Sequence, residues 1–332
     1  MSRFASFAVD RPGRLALPIG LYAGLEFAGA TVRDAVCGPA VQVAAIQALH
    51  ARLETPVLMT AMDLSLEAEA FGCEVRMSAA EVPAVVGRRA SDAAGIAALP
   101  DPRPGDARTG VPLEAVRRLA AAAAGAPILG CMIGPFSLAA RIFGFAEALE
   151  ATSAEPPTVL ALLEKATAFL VRQAQAFRAA GADGVVVAEP AAGLLSPAAL
   201  ARFSAPFAGR IVAGAQGPDF AIVLHNCAAK LVHLTAARAA GAEILHFGSP
   251  MDLPAALRRV AGEAILAGNL DPTAVFLHGT PATVRQRTQE LLAATADQRN
   301  LIVSSGCDIP PGTPLANLEA FVAAVREHAG RA

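Results

Sequence analysis

The sequence predicts an α/β fold: a (β/α)8 TIM barrel forming one domain over residues 1–332, with an N-terminal helical extension over 1–54 that caps or flanks it. Three observations predict it. Seven short apolar runs recur from residue 55 onward, and each is continuous rather than alternating, as strands buried on both faces should be. Helical stretches rich in Ala and Leu separate the runs, which is the alternation of a parallel sheet. Polar residues gather at the C-terminal ends of the runs, where a barrel places its active site.

In chain order the runs are TPVLMTA (55–61), APILGCMIGP (126–135), GADGVVVAEP (181–190), FAIVLHNC (220–227), GAEILHFGSP (241–250), EAILAGNLDP (263–272) and NLIVSSGCDIP (300–310). Seven βα units imply a barrel of eight with one strand not placed. Between them, 159–181 reads as a helix closed by Gly181, an ordinary residue just past a helix end. The stretch 313–330 opens on Thr313 and Pro314, a capping residue followed by proline, and Leu318, Phe321, Val322 and Val325 form its apolar stripe. A doubly wound open sheet is the rival, but no GxGxxG follows the first run.

The bulk properties exclude several classes. Lys and Arg number 27 against 29 Asp and Glu, so no basic surface suggests nucleic acid. Mean hydropathy is positive, at +0.47, yet the apolar runs are roughly 6–10 residues long where a membrane span needs about 20. The N-terminus carries no long apolar stretch, so no secretory signal is expected. Five cysteines at scattered positions suit a reduced, cytoplasmic chain whose cysteines are buried or bind metal.

The chemistry concentrates at the strand ends. His225 and Cys227 are two apart, so on a strand their side chains point the same way. Cys307, in SSGCDIPPGTP, ends another strand at the same mouth. One imidazole and two thiolates suit Zn²⁺, and three protein ligands leave a fourth position for water or substrate. Cys37, Cys73 and Cys131 read as core-filling residues, and His50, His233 and His328 as solvated helical ones. His246 ends a strand and stands as a fourth ligand, a partner of the ligand histidine, or a satisfied core residue. Glu189 and Asp271 are strand-end carboxylates suited to acid–base work, to orienting a ligand, or to capping a helix. Asp63 and Glu67, in MDLSLEAEAFG, Asn269, Ser305 and Asp308 complete the candidate substrate-binding residues. GPFSLAAR (134–141) offers a helix N-terminus that suits an anionic group or simply makes a turn.

These motifs together resemble a known family. The HxC pair, GCDIPPGTPLAN (306–317), GPFSLAA and MDLSLEAEAFG resemble the uroporphyrinogen decarboxylase superfamily. Within it they resemble the zinc-dependent cobalamin methyltransferase branch, typified by methylcobalamin:coenzyme M methyltransferases, from about residue 25 to 328. The resemblance implies a barrel that holds Zn²⁺ through His225, Cys227 and Cys307. It implies that the metal makes the thiol of a small-molecule methyl acceptor a thiolate, which takes a methyl group from methylcobalamin carried by a partner corrinoid protein. Relatives of this kind carry an acidic pair after the strand that follows HxC, where this chain reads HFGSP; His246, Glu189 or water remain for the fourth position. They also carry HxCG, where this chain has HNCAAK. A metal-free decarboxylase acting on a tetrapyrrole is the alternative, but its arginine-rich N-terminal motif is missing from DRPGRLALPIG, and it gives the three ligands no common role. A subunit that only docks a corrinoid protein would not need the intact ligand set. No DxHxxG-type element is present, so the corrinoid comes from outside this chain.

Overall fold

The computed structural model describes residues 1–122 and 125–329. Eight parallel strands form one curled sheet: β1 (Leu15–Leu17), β2 (Leu58–Met59), β3 (Ile128–Ile133), β4 (Gly184–Ala188), β5 (Ala221–Asn226), β6 (Ile244–Phe247), β7 (Ile265–Leu270) and β8 (Leu301–Ser305). The order is β1-β8-β7-β6-β5-β4-β3-β2, so from β2 to β8 each strand pairs with its chain neighbours, and β1 and β2 stand at the two ends of the ladder. Each of the seven predicted runs contains a strand. The eighth is β1, inside the segment expected to be helical, where Leu15, Ala16 and Leu17 pair with Ile302, Val303 and Ser304. Segment 1–54 does supply helices, the longest being Pro39–Leu53, but it also supplies the eighth strand of the curled sheet.

Strand side chains alternate, and the burial clusters show which face each takes. Leu15, Leu17, Val223, Ile244, Ala267 and Ile302 fill the barrel interior. Ile222, Leu224, Leu245, Phe247 and Val303 point outward under the helices. Helix Arg3–Val9 closes the floor, with Phe4, Ala5 and Ala8 packed into the interior cluster. Its start is tied to the N-terminal ends of the strands by Ser2 N–H donating to Glu243 and by Arg3 N–H donating to the Pro218 carbonyl. The C-terminal ends are the other face, left to the loops.

The long helix Pro156–Ala179 and the final helix Leu315–Ala329 overlap the expected stretches; the latter starts one residue beyond Pro314, and Thr313 does not cap it, its hydroxyl donating to the Pro310 carbonyl instead, while residue 330 lies outside the described residues. Leu318, Phe321, Val322 and Val325 are all buried, as the stripe requires. A small antiparallel hairpin, Glu74–Arg76 with Ala84–Val86, stands apart from the barrel. No helix among the described residues is long and apolar enough to cross a membrane.

Candidate metal centre

Period-two geometry places the site. Val223 faces the interior, so His225, two residues on, does too, and Cys227 follows at the rim. Ligand atoms of His225, Cys227 and Cys307 all lie within 4.8 Å of one another. His225 is buried and both cysteines are half-buried, so the cluster opens toward the mouth. The donor set fits zinc: one nitrogen and two sulfurs, with a side left open. A second observation fits as well. His225 Nε2 is buried and has no hydrogen-bond partner among the described residues, whereas its Nδ1 lies 2.7 Å from His246 Nδ1. An unpartnered buried lone pair is costly unless something binds it.

The two thiols differ. A hydrogen bond from Cys307 holds the Cys227 thiol far below its ordinary value despite burial. The same hydrogen bond and burial push Cys307 up. Cys73 and Cys131 are buried, as expected of core residues, and burial raises both thiols. Cys37 is exposed at the end of helix Val32–Cys37, against the expectation of core filling.

His246 pairs with His225 and lies outside the group His225, Cys227 and Cys307. His225 and His246 sit opposite each other in the β5–β6 register, with ring centroids 4.6 Å apart. His246 Nε2 lies 2.9 Å from Ser304 Oγ. Burial, then the adjacent His225, hold the His246 imidazole well below its ordinary pKa, so it is neutral.

Four expected site residues are engaged by the frame. The Glu189 carboxylate accepts from Phe136 N–H and from Ser137 N–H, each at 2.9 Å, and from Ser137 Oγ at 2.7 Å. It thereby occupies the helix N-terminus of GPFSLAAR in place of an anionic substrate group, and burial still pushes it up to about 7. Asp271 caps the turn Pro272–Leu277 by accepting from Thr273 and Ala274 N–H. Asn269 donates to the carbonyls of Gly248 and Met251. Ser305 accepts from Ile19 N–H at 2.9 Å, because it points away from the face that Ser304 takes. His233, expected on a solvated face, is buried between Lys230 N–H and the Leu195 carbonyl.

The HFGSP and HNCAAK departures have local explanations. A Cβ at Gly248 would fall inside the contact radius of the Cys227 carbonyl oxygen, so no side chain, acidic or otherwise, fits there. Asn226 Oδ1 accepts from Ala228 and Ala229 N–H, and this holds the turn after Cys227. Ala228 is not among the residues with positive φ, so the turn does not require glycine.

Beyond the thiols lies a buried polar cluster. Asp63 accepts from Ser65 and from Arg108 Nη1 at 2.5 Å, and Arg108 also pairs with Glu69 at 2.7 Å. Glu67 is fully buried, and neither carboxyl oxygen has a well-formed hydrogen bond. Burial pushes it up to about 8, tempered by backbone N–H groups and reinforced by Asp63. Asp308 is pushed well above the usual range by burial. Tyr22 Oη is buried without a hydrogen-bond partner among the described residues, its phenol held up by burial and then by Asp308 and Asp63. Tyr22 also lines a cleft of about 500 Å³ against Pro311, Gly312, Thr313 and Pro314, the loop that follows Cys307. Tyr22 and Arg108 were not among the sequence candidates. The only signal was that Tyr22 is the single tyrosine in the chain.

An eight-stranded parallel barrel with a His/Cys/Cys cluster at its mouth defines the class. The profile of the uroporphyrinogen decarboxylase (URO-D) family matches residues 25–328, and the chain belongs to that family. It is 28% identical over 308 residues to the methylcobamide:CoM methyltransferase MtbA of Methanosarcina acetivorans, covering 92% of this chain and 89% of that one. It is 29% identical over 270 residues to a methylated-thiol–coenzyme M methyltransferase of Methanosarcina mazei, covering 80% and 71%. A uroporphyrinogen decarboxylase of Dichelobacter nodosus is 31% identical, over 60% of this chain and 59% of its own. In fold, a methyltransferase from Methanosarcina mazei superposes over 98% of both chains with TM-score 0.87 at 23% identity.

Proposed function

We propose that this chain is a zinc-dependent methyltransferase that moves a methyl group from a methylated corrinoid to a small thiol. The observation that carries the reading is the convergence of His225, Cys227 and Cys307, with His225 Nε2 buried and unpartnered. The methyltransferase relatives, matched over most of their length, support the reaction class. A metal-free decarboxylase would leave that buried nitrogen and the thiol pair without a role.

In this reading His225 Nε2 and the two cysteine sulfurs hold the ion. Zinc there would bind the acceptor sulfur and keep it deprotonated at neutral pH, where a free thiol near pKa 8.5 is mostly protonated. The acceptor sulfur forms the new S–CH₃ bond, the Co–CH₃ bond breaks, and its electron pair stays on cobalt. The chain's own residues position and select. Asp63, Glu67, Asp308 and Tyr22 form the acceptor pocket, where protonated Glu67 is a hydrogen-bond donor. Glu189, Asn269, Asp271 and Ser305 hold the strand ends and loops that carry the ligands. The corrinoid arrives on a separate protein that docks over the mouth. The chain acts as one domain in the cytoplasm; the pairing of β1 with β8 supports the first point and the unbridged cysteines the second.

Metal content tests the reading. Purified protein should hold about one zinc per chain, and Cys307→Ala should lose it. Zinc-loaded protein should then methylate coenzyme M from methylcobalamin, and Cys307→Ala should not. A wild-type protein with no affinity for zinc would overturn the proposal.

A further inference from the structure

We infer that His246 and Ser304 are positioning residues that fix the tautomer of His225, through a hydrogen-bond relay that ends on the backbone of the first barrel strand. The inference rests on the metal reading of His225, Cys227 and Cys307, and it concerns residues that touch neither the metal nor the acceptor.

The direction of the relay follows from its far end. Ser304 Oγ lies 2.5 Å from the Leu17 carbonyl oxygen. A carbonyl can only accept, so the serine hydroxyl donates its single proton there. Ser304 Oγ can then only accept from His246 Nε2, at 2.9 Å, so that nitrogen carries a proton. His246 is 1% exposed and no carboxylate among the described residues contacts its ring nitrogens, so a charged ring would be desolvated without compensation. A neutral ring protonated at Nε2 has a bare Nδ1. At 2.7 Å from it, His225 Nδ1 must be the donor. With its proton on Nδ1, the neutral His225 ring is bare at Nε2, the buried atom with no hydrogen-bond partner among the described residues. Each hydrogen bond admits one direction once the carbonyl is given, and together they leave the lone pair where the cysteines converge.

The barrel is shaped to let the relay pass. His246 lies on β6 and Ser304 on β8, with β7 between them. The β7 residue paired with His246 is Ala267, whose small side chain leaves the ring free to span the gap. Ser304 is paired with Leu17 in the β8–β1 ladder, so its hydroxyl meets that carbonyl through the sheet register. The usual partner of a metal-bound histidine is a carboxylate or a carbonyl. Here a second histidine and a serine carry that role across three strands.

The test uses wild-type protein, His246→Phe, His246→Asn and Ser304→Ala. Zinc affinity is measured by competition with a chromophoric chelator. Ring protonation is read from long-range ¹H–¹⁵N spectra of histidine-labelled wild type, with and without zinc. Thermal midpoints of the metal-free proteins report folding. His246→Phe should bind zinc about 10- to 100-fold more weakly. His246→Asn should recover most of the loss, because its amide oxygen accepts near the position of Nδ1, and Ser304→Ala should fall between wild type and His246→Phe. Wild-type His225 should show its proton on Nδ1 in both states. A folded His246→Phe variant with wild-type affinity, an Asn variant no better than Phe, or a wild-type proton on His225 Nε2 would each overturn the relay. The relay is preformed, so the metal-free spectrum decides it even if His246→Phe fails to fold. It also separates the two claims: absence of zinc binding with His225 protonated on Nδ1 would sink the metal reading and leave the relay standing.

Discussion

His225 has two ring nitrogens, and the described residues supply a hydrogen-bond partner for one. That asymmetry separates a ligand from a satisfied core histidine, and sequence cannot show it. Sequence showed the residue types and the period-two spacing, which was enough to bring His225, Cys227 and Cys307 together. It could not tell Ser304 from Ser305. The two are adjacent, and alternation sends one hydroxyl toward His246 and the other to Ile19 N–H. Glu189, Asn269 and Asp271 were read correctly as strand-end residues, but their side chains turn to helix ends and loop carbonyls, which only the fold decides. Glu67 yields a prediction at this scale. Its folded pKa of about 8 exceeds the ordinary 4.5, so the folded state binds the proton more tightly. Its contribution to stability is therefore greatest below about pH 4.5 and is lost as pH rises through about 8. Gln keeps the neutral shape and removes the titration. Glu67→Gln should accordingly gain stability relative to wild type between about pH 5 and pH 8, reaching a few kcal/mol at about 1.4 kcal/mol per unit. Denaturant titrations of the metal-free proteins at both pH values would show it, and parallel curves would contradict it.

At the scale of elements, continuous apolar runs were a reliable sign of seven strands because both faces are buried. The eighth escaped because β1 is three residues long, LAL, set between Arg14 and Pro18, with too few positions to show any period. Its identity lies in its partner, β8, almost three hundred residues away. Loops after strands were legible as the place of chemistry and illegible in shape. Gly248 is the clearest case. The tip of the β6 loop packs so closely on the Cys227 backbone that no Cβ is accommodated, and the obstacle is backbone rather than a movable side chain. Gly248→Ala should therefore destabilise the protein by about 1–3 kcal/mol, the usual cost of overpacking. It should also weaken zinc binding, because relief requires moving Cys227. Urea unfolding and chelator competition on the same variant would check both, and a variant as stable and as tight as wild type would refute the packing account.

For the whole molecule, the curled sheet brings three candidate ligands from two strand ends to one mouth, while helix Arg3–Val9 closes the other end. Residues separated by eighty positions become neighbours because β5 and β8 belong to one curled sheet. A metal that binds only the folded ring should stabilise all of it. Zinc at a thousandfold excess over its dissociation constant adds about 4 kcal/mol. The thermal midpoint of wild type should rise by several degrees, and that of Cys307→Ala should not move.

The central claim is that these three side chains hold zinc and leave one position for the acceptor sulfur. X-ray absorption at the zinc edge, before and after adding coenzyme M, tests it most directly. The account predicts two sulfurs at about 2.3 Å and one imidazole nitrogen at about 2.0 Å in the starting protein, and a third sulfur once the thiol is added. A zinc shell without cysteine sulfur, or one whose sulfur count stays fixed when saturating thiol is present, would contradict it.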